Sequence, residues 1–262
     1  MNNKLIYFLG YDAIGDHLSN NGMVRYLLNH YDKIILVTHL TDYVKLLYND
    51  DNRISSVTME EFEKISNQDL NIDVIDVRIW GINPRPGKYV GNYFNRENKI
   101  DNISNQIFTD NASHFYAYMG IDISVRLHNF YFERLIGKEN DLFDKLKIKS
   151  NEYSVVCEFE KNLINRNYVH DTNLVNLHLL SPNFLDIIKI IENAKEVHLL
   201  ENSISLLVYH LQTRNLMKQC KINLHAYSRQ ESHRKCTDPI NGNIFLNMLT
   251  SPRLENWNFI YD

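Results

Sequence analysis

The sequence predicts an α/β protein built from two Rossmann-like halves facing a cleft. Three observations lead there. Short apolar runs alternate with stretches of helical spacing, the pattern of βαβ units and a parallel sheet. The runs are continuous in Ile, Leu and Val, as strands covered on both faces require. The alternation breaks off after about residue 80 and resumes near Tyr153, so 1–145 and 146–262 read as two domains. At 262 residues the chain is long enough for two cores of ordinary size.

In order, Lys4 to Leu9 is a compact apolar strand, followed by a turn from Gly10 to Asp16. A helix is expected from about Asn20 to Tyr31, where Met23, Tyr26, Leu27 and Leu28 recur at helical spacing. Lys33 to Thr38 is a second strand, and Thr41 to Tyr48 a helix with Thr41 as its cap. Ile54 to Val57 and Ile72 to Val77 are strands on either side of a helix from Met59 to Gln68. Gly81 to Asn98, with its Gly and Pro residues, reads as a long loop. Asn105 to Leu135 is rich in aromatics and reads as helical in two pieces, Ser113 to Tyr118 and Phe130 to Leu135. Leu142 to Lys149 is a helix or a linker. The second alternating unit has strands at Tyr153 to Cys157, Leu174 to Leu177, Val197 to Leu200 and Cys220 to Leu224. Its helices are Asn183 to Asn193 and Ser205 to Gln212.

Composition narrows the function classes. Hydrophobic residues make up 44% and charged residues 23%, as in an ordinary soluble domain. A net charge of −4 points to neither nucleic acid nor an anionic membrane as partner. The first apolar stretch, Leu5 to Gly10, is too short for a secretory leader, and no run is long enough to span a bilayer. Three cysteines form no disulfide framework, which suits a reducing, cytoplasmic setting. His225, His233 and Cys236 fit no zinc spacing, so no metal is expected. There is no Walker A loop, no GxGxxG and no GxSxG elbow.

Two turns carry the candidate chemistry. Glu201-Asn202-Ser203-Ile204-Ser205 joins a strand to a helix. Asn and Ser there can cap the helix by taking its orphan N–H groups. If those donors are left open, the same spot binds phosphate, since the helix dipole also favours an anion. The other turn is Ile14-Gly15-Asp16-His17-Leu18-Ser19-Asn20. Gly15 permits close approach of a ligand to the backbone. Asp16 can take a proton from a hydroxyl nucleophile, or it can serve as a cap or Asx turn. His17 and Asn20 would face an acceptor, although for His17 a solvent-exposed histidine is the preferred reading. Glu158, Glu160, Lys161 and Arg166 follow the Tyr153 strand, either as a solvated charged loop or with a cation placed for phosphate.

Together these pieces resemble the GT-B glycosyltransferases, and within them the heptosyltransferase-like group, glycosyltransferase family 9. That family opens with a strand and a Gly-Asp turn into a helix, matched here by Gly15-Asp16. Its second domain carries an Asp-Ser-Gly type turn and then His-Leu-Ala, matched here by 201–205 and then Tyr209-His210-Leu211. The resemblance implies an acceptor domain at 1–145 and a nucleotide-sugar donor domain at 146–262. It makes Asp16 the general base and Gly15, His17 and Asn20 the acceptor side. Lys161, Glu201, Asn202, Ser203 and Ser205 become the donor side. It implies a nucleotide-diphosphate sugar as substrate, a glycan hydroxyl as acceptor, inversion, and no metal or cofactor. Ile204 stands where the family has glycine. That departure and the Asn-rich stretch at 91–106 keep open a non-catalytic sugar-nucleotide or glycan-binding protein of the same fold. A nucleotide-sugar epimerase is the other alternative.

Overall fold

The computed structural model describes residues 4–10, 12–69, 72–77, 88–89, 115–116, 119–158, 163–180, 183–200, 202–225 and 256–260. The chain divides into two compact units, Met1–Glu133 and Arg134–Asp262. Every strand pairing among the described residues is parallel.

In the first unit the strands β1 (Leu5–Leu9), β2 (Lys33–Val37), β3 (Ile54–Val57), β4 (Asp73–Asp76) and β5 (Lys88–Tyr89) form one sheet in the order β3-β2-β1-β4-β5. The two-residue β5 falls inside the stretch expected to be a loop, most of which lies outside the described residues. One face of the sheet presents Tyr7, Leu9, Ile35, Val37 and Val74, closed by Phe62 of α3 (Met59–Gln68). The Phe62 ring packs 5.3 Å from that of Tyr7. The alternate positions Ile6, Phe8, Ile34 and Leu36 are buried as well, which explains why these strands read as unbroken apolar runs. Thr58 and Glu61 form a capping box at the start of α3.

Helix α1 spans Ile14–Leu27 and so begins six residues before the expected start. Gly15 and Asp16 therefore belong to its first turn and not to a preceding loop. The apolar period failed to mark this start because His17, Ser19, Asn20 and Asn21 are polar yet buried. Gly22 lets α1 approach the short helix α4 (Val125–His128): a Cβ there would lie 2.6 Å from the carbonyl oxygens of both Val125 and Arg126. The Tyr116 hydroxyl accepts from Met23 N–H (2.9 Å) and donates to Ser19 C=O (3.1 Å), across one rung of the helix ladder. In α2 (Thr41–Leu47) the cap position is Leu40, so Thr41 is the first helical residue and not the cap.

Phe130 to Leu135 is not helical. The backbone of Tyr131 is held by α1 instead, its N–H on Asn21 Oδ1 (2.9 Å) and its C=O on Arg25 Nε (2.8 Å).

The second unit begins at Arg134, earlier than the boundary at 145, because α5 (Ile136–Lys145) is tied into it. The Arg134 guanidinium bonds both oxygens of Glu139 in α5 and both oxygens of Glu192 in α6 (Ile188–Glu192). Lys189 Nζ adds a bond to Asn140 Oδ1 at 2.7 Å. The strands β6 (Ser154–Cys157), β7 (Leu174–Asn176), β8 (Glu196–Leu200), β9 (Ile222–His225) and β10 (Trp257–Ile260) run in the order β10-β9-β8-β6-β7. The helix expected over 183–193 is divided, its first turn being 3₁₀ (Phe184–Ile187) with Asn183 capping Leu185 N–H. Helix α7 (Ser203–Thr213) follows β8. Trp257, at the start of β10, donates through Nε1 to Gln212 of α7 at 2.8 Å. Among the described residues no helix is long and apolar enough to cross a membrane.

Candidate functional site

In each unit the strand order reverses once. β2 and β3 extend to one side of β1, β4 and β5 to the other; in the second unit β7 lies on one side of β6 and β8 to β10 on the other. Outside the carboxyl ends of the strands at such a reversal, connections leave in opposite directions and open a crevice where ligands bind. These ends are Leu9-Gly10 with Asp76-Val77 in the first unit, and Cys157-Glu158 with Leu200 in the second. Both expected turns follow a central strand at such an end.

In the first unit Asp16 is the third residue of α1 and half-buried. Burial raises its carboxyl pKa, and nearby Asp12 adds to the rise; the Ala13 N–H and His17 oppose it. Gly15 is the second residue of the helix. His17 is buried, with Nε2 3.1 Å from Thr38 Oγ1 and 3.3 Å from Asp12 Oδ1, so it is not a solvent-facing residue. Asn20 is 3% exposed, and its Oδ1 has no hydrogen-bond partner among the described residues. Its amide nitrogen lies against Gly10, where a Cβ would meet it at 3.2 Å.

Asp12, Thr38 and His39 went unnoticed in the sequence. Asp12 accepts from His17, from the Thr38 hydroxyl, and from both the backbone N–H (2.8 Å) and the Nδ1 of His39. Burial alone would raise its pKa, but these hydrogen bonds outweigh burial and hold it well below the usual carboxylate range. No local sequence signal marks these three residues: they meet because β1 and β2 pair with Leu9 opposite Val37, which brings the residues just beyond the two strand ends together.

In the second unit Asn202 caps α7. Its Oδ1 takes the N–H groups of Ile204 (2.9 Å) and Ser205 (3.2 Å), while Ser205 Oγ accepts from the Asn202 N–H (3.1 Å). Asn202 Nδ2 reaches Cys157 Sγ across the sheet at 3.3 Å. Two of the orphan donors are thus filled by the protein itself. The N–H and hydroxyl of half-buried Ser203 have no partner among the described residues. Glu201 and Lys161 lie outside the described residues, as do His233 and Cys236.

The charged segment after β6 is partly internal. Glu158 is 6% exposed and accepts from Ile164 N–H (3.0 Å), Arg166 Nη2 (2.8 Å) and Asn176 Nδ2 (3.2 Å). Arg166 is thereby committed to a carboxylate.

No protein-family model matches the chain, and no curated protein matches it in sequence. Among solved structures it is similar to a family 9 glycosyl transferase from Veillonella parvula DSM 2008. The TM-score is 0.55 at 7% identity, over 99% of this chain and 86% of that one. The chain has a family 9 glycosyltransferase-like fold. A second similar structure is the ADP-heptose LPS heptosyltransferase II of E. coli, with TM-score 0.49 and 9% identity over 98% of this chain and 90% of that one. The family 9-like fold accounts for the α/β class and for two parallel sheets in sequence along one chain.

Proposed function

We propose that the protein transfers a glycosyl group from a nucleotide-diphosphate sugar to a glycan hydroxyl, inverting the anomeric centre without a metal ion. The observation that carries this reading is the place and state of Asp16. A half-buried carboxyl group in the first turn of α1, at the carboxyl end of the central strand, has its pKa raised by burial. A raised carboxyl is a better proton acceptor than an ordinary surface carboxylate. The family 9-like fold supports the same reading.

In this mechanism the acceptor hydroxyl oxygen attacks the anomeric carbon as its proton passes to Asp16. The bond between that carbon and the diphosphate oxygen breaks, and the diphosphate leaves with the electron pair. Ser203, through its N–H and hydroxyl at the start of α7, and Lys161 hold the growing charge. Gly15, His17 and Asn20 shape the acceptor side, His17 through its contact with Asp12. The competing reading is a non-catalytic sugar-nucleotide-binding protein, favoured by the way Asn202 occupies two of the helix donors.

The test is a pair of variants, assayed by calorimetry with nucleotide-diphosphate sugars and by transfer to an acceptor panel. Asp16→Asn should lower turnover by about 10²–10⁴. It should leave donor affinity within about threefold, a change of only ~0.7 kcal/mol. Ser203→Asp places a negative charge at the proposed diphosphate site, and donor binding should vanish while Asn202 still caps the helix. Transfer by Asp16→Asn near the wild-type rate sinks the base assignment. Tight donor binding with no transfer establishes the binding protein, and free epimerised sugar without acceptor establishes an epimerase.

A further inference from the structure

The second sheet has an unusual face. Its β8, β9 and β10 are parallel strands, and side chains two residues apart share a face. One face carries Val197, Leu199, Ile222, Leu224 and Trp257, all buried. The opposite face carries Glu196, His198 and Leu200, then Lys221, Asn223 and His225, then Asn258 and Ile260, so it is polar except for Leu200 and Ile260 at its carboxyl end. Parallel strands are ordinarily apolar on both faces. Here three of the polar side chains, His198, Asn223 and His225, are 3% exposed or less. Burying such groups is costly unless each finds partners.

The partners are linked. Lys221 Nζ donates to Glu196 at 3.0 Å, and Glu196 lies 3.4 Å from His198 Nε2, near enough for electrostatic attraction although that nitrogen has no hydrogen-bond partner among the described residues. His198 Nδ1 and His225 Nε2 are 3.0 Å apart, and the His225 ring meets Tyr168 edge-on at 5.9 Å. Asn258 Nδ2 donates to Asn223 Oδ1 at 3.2 Å. A cavity of about 480 Å³ opens over this array, lined by Tyr168, His170, Glu196, Lys221, Asn223, Asn258 and Ile260. Its volume falls within the roughly 300–1,000 Å³ of small-molecule sites. Its lining runs over the face of β8–β10, not over the carboxyl-end turn at Ser203.

The lining dictates a ligand class. Lys221 and Glu196 neutralise each other, so the wall offers polar groups without a net charge to hold a phosphate. Each amide of the Asn223–Asn258 pair uses one of its several hydrogen-bonding positions on the other, leaving both donors and acceptors to spare. Tyr168 contributes an aromatic ring at the rim, 36% exposed. Amides that both give and accept hydrogen bonds, beside an aromatic ring and a carboxylate, suit a ring bearing many hydroxyls. We propose that the polar face of β8, β9 and β10 is a saccharide-binding site, separate from the turn at Ser203 and able to hold a neutral sugar residue without a nucleotide.

The experiment is saturation-transfer NMR on the full chain with free glucose, galactose, mannose and N-acetylglucosamine as probes, without nucleotide. At least one sugar should bind saturably with a dissociation constant on the order of 1 mM, the strength of a few hydrogen bonds and one stacked ring. Tyr168→Ala alters an exposed side chain, so the melting temperature should hold while sugar affinity falls about three- to tenfold. Asn258→Ala should lower affinity to the same degree and, because it also takes the donor from buried Asn223, should lower the melting temperature modestly. Ser203→Asp should leave the sugar signal unchanged. Two results overturn the proposal: no saturable signal from any of the four sugars, or a signal lost in Ser203→Asp and kept in Asn258→Ala. The second outcome would put the sugar at the α7 turn and leave the glycosyltransferase reading standing. Conversely, failure to bind any nucleotide diphosphate would remove that reading without touching this site.

Discussion

Replacing Gly22 by Ala sets two effects of opposite sign against each other. Ala is favoured over Gly inside a helix by about 0.8–1.0 kcal/mol. Against this, the added methyl would stand 2.6 Å from two carbonyl oxygens and 2.9 Å from Arg126 Cα. All three obstacles are backbone atoms, so no side-chain rotation relieves them, and α1 and α4 must part by several tenths of an ångström. Overpacking of this kind costs about 1–3 kcal/mol, and three rigid contacts place the site in the upper half of that range. The net expectation is a loss of about 1–2 kcal/mol from the first unit. Gly137 in α5 is the control, because a Cβ there meets nothing within 4 Å. Gly137→Ala should stabilise the second unit, by at most about 1 kcal/mol. Urea unfolding followed by circular dichroism, fitted with a transition for each unit, separates the two. If Gly22→Ala proves as stable as the wild type or more so, the close α1–α4 approach is wrong and helix propensity alone governs the site.

Three further predictions follow from single residues. Arg134→Met strips the cation from Glu139, whose side chain is 1% exposed, and should cost about 3–5 kcal/mol in the same unfolding assay; adding Glu139→Gln should recover part of the loss, and no recovery would refute the pairing. Asp12 has a depressed folded-state pKa, so its stabilisation is complete above its unfolded pKa near ~3.9 and is lost as pH falls through the folded value; Asp12→Asn should flatten the acid limb of stability below about pH 5, and an unchanged limb would contradict the four-donor cradle. Burial pushes the Cys157 thiol up to about 11 and the Cys220 thiol up to about 12, so mass spectrometry after maleimide treatment at neutral pH should find both unmodified in the folded chain and both labelled in urea.

The parallel strands were legible because burial on both faces writes itself into the chain as Ile-Ile-Leu-Val and Val-His-Leu-Leu. The start of α1 was not. His17, Ser19, Asn20 and Asn21 are buried through hydrogen bonds and close packing, and a reading based on apolar period takes such residues for a turn. Residues 130–135 misled in the opposite way: their aromatic content suggested a helix, but the backbone groups of Tyr131 find partners on Asn21 and Arg25, more than 100 residues away in sequence. Asn202 and Ser205 were located correctly at the start of a helix; that the Asn202 side chain takes two of its donors, and Ser205 Oγ the N–H of Asn202, depends on side-chain geometry that the sequence leaves open. The Asp12 cradle needs three separate segments to be seen at once, and no local motif announces it.

The Tyr116 hydroxyl bears on how α1 comes into being. Helices ordinarily close their ladder from within, each peptide reaching its neighbour one turn away. In α1 a phenol 93 residues from Met23 and 97 from Ser19 bonds both members of one rung. The segment before that rung holds Gly15, Asp16 and His17. An element that is local by geometry is therefore completed by a partner distant in sequence, and long loop closures slow such steps. Hydrogen exchange should record this as a boundary: amides of the first turns of α1 should gain protection only after the segment carrying Tyr116 has docked, later than those of β1 and β2. In Tyr116→Phe the same amides should exchange faster than those beyond Met23 in the folded state, which would mark the start of α1 as a unit with its own opening equilibrium.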